Sequence, residues 1–284
     1  MKIARFWKRS SHHADLPDGR PIEVIAWGWS ANDAAEAQQR AEESSQRSAR
    51  RIIAGDPFPD SYGYGDRPAR EEIIREIKND EGDTTAMLTR NRYGAVVLNT
   101  ADLMFIDVDV APAPPMGIID AIKSLFGNRP EDPIVAAHKR IAAVANDRPQ
   151  YTIRLYRTFA GFRCAVINKR IKPGTAESDA LLSAFGSDPL YVRLCKNQES
   201  FRARLTPKFW RCGFRVPPAQ FPFNNETEQQ NYRAWERSYE QASSTYSTCV
   251  FVDQFGSDRT VADFRELIDL HDRDTRCESQ LPLA

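Results

Sequence analysis

The chain reads as an α+β protein with a mixed or antiparallel sheet and flanking helices. Three observations predict this. β-Branched residues gather in short runs bounded by turn residues, two pairs of runs are spaced as hairpins, and stretches rich in Ala, Glu, Gln and Arg lie between them at helical spacing. The run Leu103 to Val110 is the one around which the rest is organised. Val and Ile at this density favour a strand, and alternate strand residues share a face. Phe105, Asp107 and Asp109 then point one way, and Met104, Ile106, Val108 and Val110 the other. Two carboxylates at i and i+2 sit about 6–7 Å apart and repel by roughly 2–3 kcal/mol at an effective dielectric near 20. They either face water as a solvated strand end or hold something positive. Mg²⁺ is the usual cation, held by one or two carboxylates plus substrate phosphates.

The 284 residues suffice for one large domain or two small ones. We divide them into an N-terminal βα region, 1–80, packed on a core, 81–284, that ends in helices. Lys plus Arg and Asp plus Glu number 39 each, so net charge is no signature of a nucleic-acid or membrane binder. Five cysteines, an odd number without a C-x-x-C pair, favour reduced thiols over a disulfide framework or zinc. Neither a signal peptide nor a run of spanning length is present, which predicts a soluble cytoplasmic protein that does not enter a membrane.

Residues 1–20 are basic and polar, a loose start or an edge strand, and Ile22–Trp29 is a strand. Ser30 is the expected N-cap of a helix over 31–53, with Asp33 as the acid of a capping box, and Gly55 and Pro57 end it. The loop Tyr62 to Pro68 connects or contacts a ligand. Ile73, Ile74 and Ile77 predict a short amphipathic helix over 69–78, followed by a turn at 79–83. Strands are expected at 86–89 and 95–98. Pro112, Pro114 and Pro115 stop the acidic strand. Helices follow at 116–126 and 133–145, the second with Pro133 in its first turn and a structural His138.

The clearest hairpin joins Tyr151–Thr158 to Phe162–Lys169 through Phe159-Ala160-Gly161, where Gly161 permits a turn or a close backbone approach to a ligand. A helix is expected over 178–185, a helix or a strand from 191, and an extended segment over 201–204. After a Pro- and aromatic-rich loop, a helix over 225–243 carries Tyr232, Trp235 and Tyr239 as a core stripe. Strand 248–255 and helix 260–271 close the fold.

Charge is unevenly spread. Residues 150–215 hold thirteen Lys and Arg against four acids, interleaved with aromatics such as Phe159, Phe201, Phe209 and Trp210. Such a patch either binds phosphates, with rings that can stack on bases, or is an ordinary surface paired with acids elsewhere. Arg binds phosphate bidentately and Lys does not. Candidate phosphate residues are Arg154, Thr158, Gly161, Arg163, Arg202, Arg204, Lys208 and Arg211, the densest run being 201–211.

Phe105-Ile106-Asp107-Val108-Asp109, then Thr158-Phe159-Ala160-Gly161-Phe162-Arg163, then Val252-Asp253, resembles the archaeo-eukaryotic primase (primase-polymerase) superfamily. That family carries an hhDhD strand, a hairpin with a small hydroxyl residue, a Gly turn and a histidine, and a later strand acid. Here the histidine position is Arg163, a departure from the family's pattern. The resemblance covers about residues 95–255 and implies an RRM-like palm. It further implies Asp107, Asp109 and Asp253 as metal ligands and catalytic residues for Mg²⁺ or Mn²⁺, and a hairpin that contacts nucleotide phosphates. The expected function is then metal-dependent nucleotidyl transfer on nucleic acid with nucleoside triphosphates. A non-catalytic nucleic-acid-binding protein with a palm-like fold, or a metal-dependent phosphodiesterase or nuclease, stands beside it.

Overall fold

The computed structural model describes residues 1–57, 68–111 and 131–284. The expected loop at 62–67, the prolines at 112–115 and the helix at 116–126 lie outside them. Among the described residues are ten strands, β1 (Phe6–Asp15), β2 (Pro21–Ser30), β3 (Glu72–Lys78), β4 (Thr84–Arg90), β5 (Val96–Thr100), β6 (Met104–Asp109), β7 (Ile153–Thr158), β8 (Gly161–Val166), β9 (Phe201–Arg204) and β10 (Cys249–Phe255). The helices are α1 (Ala34–Ala54), α2 (Pro133–Asn146), α3 (Ala176–Phe185), α4 (Pro189–Gln198), α5 (Glu226–Ser243) and α6 (Phe264–Thr275). The class is α+β.

Two four-stranded antiparallel sheets carry the main core, in the orders β10-β7-β8-β6 and β3-β4-β5-β9. In the first, β6 and β7 both pair antiparallel with β8, so they run parallel and flank it, and α2 lies in their connection. This is a split β-α-β unit. An RRM-like sheet sets its last strand beside its first. Here β10 pairs with β7, so β6 and β10 lie at opposite edges.

Alternation along β6 divides its faces as expected. Ile106 and Val108 join a core with Phe162, Cys164, Leu155 and residues of α2 and α3; His138 on α2 lies against Phe162. The other face carries Phe105 and Asp107 toward α6 and the second sheet. The Tyr191 hydroxyl of α4 lies 2.8 Å from the Phe105 carbonyl and 3.1 Å from that of Arg202, which ties edge strand β6 to edge strand β9.

The segment 69–78 is not a helix. Its residues 72–78 form β3, the outer strand on β4. β-Branched Ile loses rotamer freedom in a helix and packs well on a pleated surface. Register shifts between Ile73 and Arg75 and between Ile77 and Lys78 break the strict alternation that would have marked a strand. A boundary at residue 80 would therefore divide the β3–β4 ladder.

The N-terminal unit is the β1–β2 hairpin with α1 against it. Ala37, Ala41, Ser45 and Ala49 are its buried helical stripe. A Cβ at Gly28 would stand 2.1 Å from the Ala37 carbonyl oxygen, so only glycine permits this approach. The cap lies three residues later than expected. Asp33 accepts from the Glu36 N–H at 2.7 Å, while Ser30 Oγ accepts from the Asn32 and Asp33 N–H groups. Ser30 forms a bracing turn before the helix and Asp33 is its N-cap.

A second, smaller core gathers Tyr232, Trp235 and Tyr239 of α5 with Phe209, Phe214 and Phe223. It holds the segment after β9. Trp235 Nε1 donates to the Arg215 carbonyl at 2.9 Å, and the Tyr239 hydroxyl donates to the Pro207 carbonyl.

Candidate nucleic-acid interface

The site lies at the end of β6. Asp107 faces Arg163 across the β6–β8 ladder, and Asp109 faces Gly161. A Cβ on Gly161 would stand 2.0 Å from the Val108 carbonyl oxygen, so this glycine serves the approach of two strands and not of a ligand. The start of α4 docks on the same point, with Ser187 Oγ donating to the Asp107 carbonyl at 2.9 Å. Asp188, the N-cap of α4, accepts from the Leu190 N–H at 3.0 Å.

Arg163 is 2 % exposed. Its Nε donates to Asp107 Oδ1 at 2.8 Å, its Nη2 lies 3.5 Å from Oδ2, and its Nη1 donates to the Arg204 carbonyl at 2.9 Å. Nη1 also lies 3.4 Å from His271 Nε2. A guanidinium is only a donor, so Nε2 is the acceptor and Nδ1 carries the hydrogen toward Asp272, 2.8 Å away. Asp272 in turn accepts from Arg154 at 2.6 Å and from the Tyr156 hydroxyl at 2.8 Å. A buried polar chain thus crosses the sheet from Asp107 to Arg154. His271 lies stacked on Phe105 and edge-on to Tyr156.

Burial and then the Arg163 charge hold His271 below the ordinary histidine value of 6.5. Burial alone would raise Asp272, yet the hydrogen bond and charge of His271 and the charge of Arg154 hold it below the usual range. Below pH 6.5 the unfolded chain takes up a proton at position 271 and the folded chain does not, so stability falls as pH drops through that value. We expect a lower urea midpoint at pH 5.5 than at pH 7.5, with the difference reduced in His271→Gln. Equal pH dependence in both proteins would rule out His271 as its source. The Asp272 contribution is lost only at more acidic pH, below the ordinary carboxyl value of 3.8.

Three expected phosphate ligands are therefore structural. Arg154 and Arg163 belong to this chain. Arg202 is buried and pairs with Glu71 at 2.6 Å and with Gln198. Thr158 is the last residue of β7, and its carbonyl accepts from Arg157. Asp253 also stands apart from the other two acids. It stands on β10, at the edge of the sheet opposite β6, three strand spacings or about 14 Å away. It is exposed, with Oδ1 accepting from the Gln254 N–H at 2.8 Å. Asp107, Asp109 and Asp253 do not make one ligand set, and among the described residues no group of three His, Cys, Asp or Glu is placed to hold a metal. The three-carboxylate metal site that the resemblance implies does not fit these residues.

The remaining bases do converge on the acids. Arg204 ends β9, and Lys208 and Arg211 follow on the short 3₁₀ turn Phe209–Cys212 and its approach. Burial, and after it the charges of Arg163 and Arg211, lower Arg204 to about 10. Burial, Arg204 and Arg211 lower Lys208 to about 8, against the pull of Asp109 and Asp107. Burial also lowers Arg211, opposed by Asp109. Asp109 is raised by desolvation, Asp107 and Asp188, while Lys208 and Arg211 draw it down. None of the three bases makes an ion pair among the described residues, and Arg204 Nε is buried without a hydrogen-bond partner there.

Two exposed rings flank them. Arg211 lies 4.4 Å over Phe159, which is 51 % exposed, and Lys208 lies 5.2 Å over Trp210, which is 47 % exposed. Both rings belong to the aromatic interleaving legible in the sequence, although neither residue type marks a site alone. His271, Asp272 and Asp188 carry no such local signal, because their partners lie far off in the chain. No family model, curated protein or solved structure matches this chain. No helix among the described residues is long and apolar enough to cross a membrane.

Proposed function

We propose that this protein binds single-stranded nucleic acid at the end of β6 through Arg204, Lys208 and Arg211, with Phe159 and Trp210 as stacking surfaces. The observation that carries the reading is the convergence of three cations, without ion-pair partners among the described residues, beside two half-exposed rings, with Arg211 over Phe159 and Lys208 over Trp210. Cations that lack carboxylate partners suit phosphates, and an exposed ring suits the face of any base. Asp107 takes no part in binding. It neutralises buried Arg163, which in turn fixes the end of β9 through the Arg204 carbonyl.

Binding of a labelled oligonucleotide, followed by fluorescence anisotropy across a salt series, tests this. Replacing Lys208 and Arg211 by Gln should weaken binding and flatten the salt slope by about 1.4, at about 0.7 per phosphate contact on a single strand. An unchanged slope would remove these residues from the interface.

Metal-dependent nucleotidyl transfer is the second reading, favoured by one observation: Asp109 is exposed and lies within the fields of Lys208 and Arg211. It requires Mg²⁺ or Mn²⁺ to bind with a nucleoside triphosphate and to be lost in Asp109→Ala. Calorimetric titration with each metal, with and without the nucleotide, separates it from the first reading, which needs no metal.

A further inference from the structure

We propose that Arg204, Lys208 and Arg211 form a site for a terminal phosphate, a phosphate monoester dianion, in preference to the singly charged diester within a strand. This rests on the nucleic-acid-binding reading and names the part of the ligand that the site selects. Arg204 Nε is a buried donor without an acceptor among the described residues, and buried donors are normally paired. It lies at depth, with Lys208 and Arg211 beside it.

Charge favours the same ligand. Arg163, Arg204 and Arg211 each weaken the proton affinity of a neighbouring base in this cluster, so it is short of negative charge. The carboxylates facing it are Asp107, Asp109 and, through Asp109, Asp188. Asp107, itself held by Arg163, opposes Arg204 and Lys208, and Asp109 opposes Lys208 and Arg211, so two carboxylates face three cations. A phosphate monoester brings about −1.5 to −2 charge and three free oxygens at pH 7. A diester brings one charge and two free oxygens. Three basic side chains match the first. Phe159 and Trp210 then stand where the terminal base would stack.

A strand end and a free mononucleotide share this chemistry, and one experiment distinguishes them. A 12-mer is labelled at one end and carries either phosphate or hydroxyl at the other, in both polarities, and its binding is read by anisotropy. We expect the phosphorylated oligonucleotide to bind about tenfold tighter in at least one polarity, and the preference to vanish in Lys208→Gln/Arg211→Gln and in Arg204→Met. The double variant alters the surface turn and keeps the test open if Arg204→Met fails to fold. Displacement by adenosine monophosphate and not by adenosine extends the site to free nucleotides; displacement by neither confines it to strand ends. Equal affinity for both ends in both polarities overturns the terminal-phosphate proposal and leaves the nucleic-acid reading standing. Failure of every oligonucleotide to bind overturns both.

Discussion

Asp107→Ala is expected to destabilise the protein by about 3–5 kcal/mol, the cost of leaving a buried charge without its partner. Arg163 is 2 % exposed, and Asp107 is the carboxylate among its partners. The Arg204 carbonyl and His271 would remain, but both are neutral. Asp107→Asn, which keeps one acceptor oxygen, should fall between wild type and Ala. A pair of metal ligands behaves in the opposite way. Two carboxylates held close repel when no cation is bound, so removing one leaves stability unchanged or raises it. Urea unfolding of wild type, Asp107→Asn and Asp107→Ala at pH 7.5 decides between the two roles. An Asp107→Ala protein as stable as wild type would mean that the Arg163 pair is not what this carboxylate is for, and would restore the metal reading.

Trp235→Ala is expected to cost about 3–5 kcal/mol and to abolish oligonucleotide binding without touching the ligand. Trp235 is 1 % exposed, stacks on Tyr239 with centroids 5.0 Å apart, and donates to the Arg215 carbonyl. Its ring also fills the space over Gly94, where a Cβ would stand 2.3 Å from it. The small core around it is separate from the main one, so its loss should release the segment that carries Lys208 and Arg211 while the sheets persist. Hydrogen exchange should show protection lost over residues 206–215 and kept in β6, β7 and β8. Trp235→Phe, which keeps a ring and loses the donor, should retain part of the protection. Full protection of 206–215 in Trp235→Ala, or binding equal to wild type, would show that this aromatic core does not position the bases.

The resemblance to primase-polymerases rested on the order of three short motifs, and strand order is what it could not contain. Asp253 follows the acidic strand in sequence as the motif requires, yet β10 joins the sheet at the β7 edge, so the acid is carried away from Asp107 and Asp109. Arg163, at the position of the family's histidine, forms the base of the site and not its ligand surface.

Local patterns determined much of this protein without help from the fold. The alternation in 103–110 fixes which residues accompany Asp107, the Phe159-Ala160-Gly161 turn fixes the β7–β8 hairpin, and the spacing of Tyr232, Trp235 and Tyr239 fixes the buried face of α5. The density of bases at 204–211 likewise marks the cations of the proposed site. These signals work because helical and strand periods act between residues a few positions apart. The roles of individual charges were decided by the tertiary structure alone. Arg163 meets Asp107 from 56 residues away, Arg154 meets Asp272 from 118, and Arg202 meets Glu71 from 131. In sequence these arginines are indistinguishable from Arg204 and Arg211. The tertiary structure brings an ion-pairing carboxylate to each of the first group and, among the described residues, to neither of the second, because a charge takes its role from the partner and the burial that the whole chain supplies.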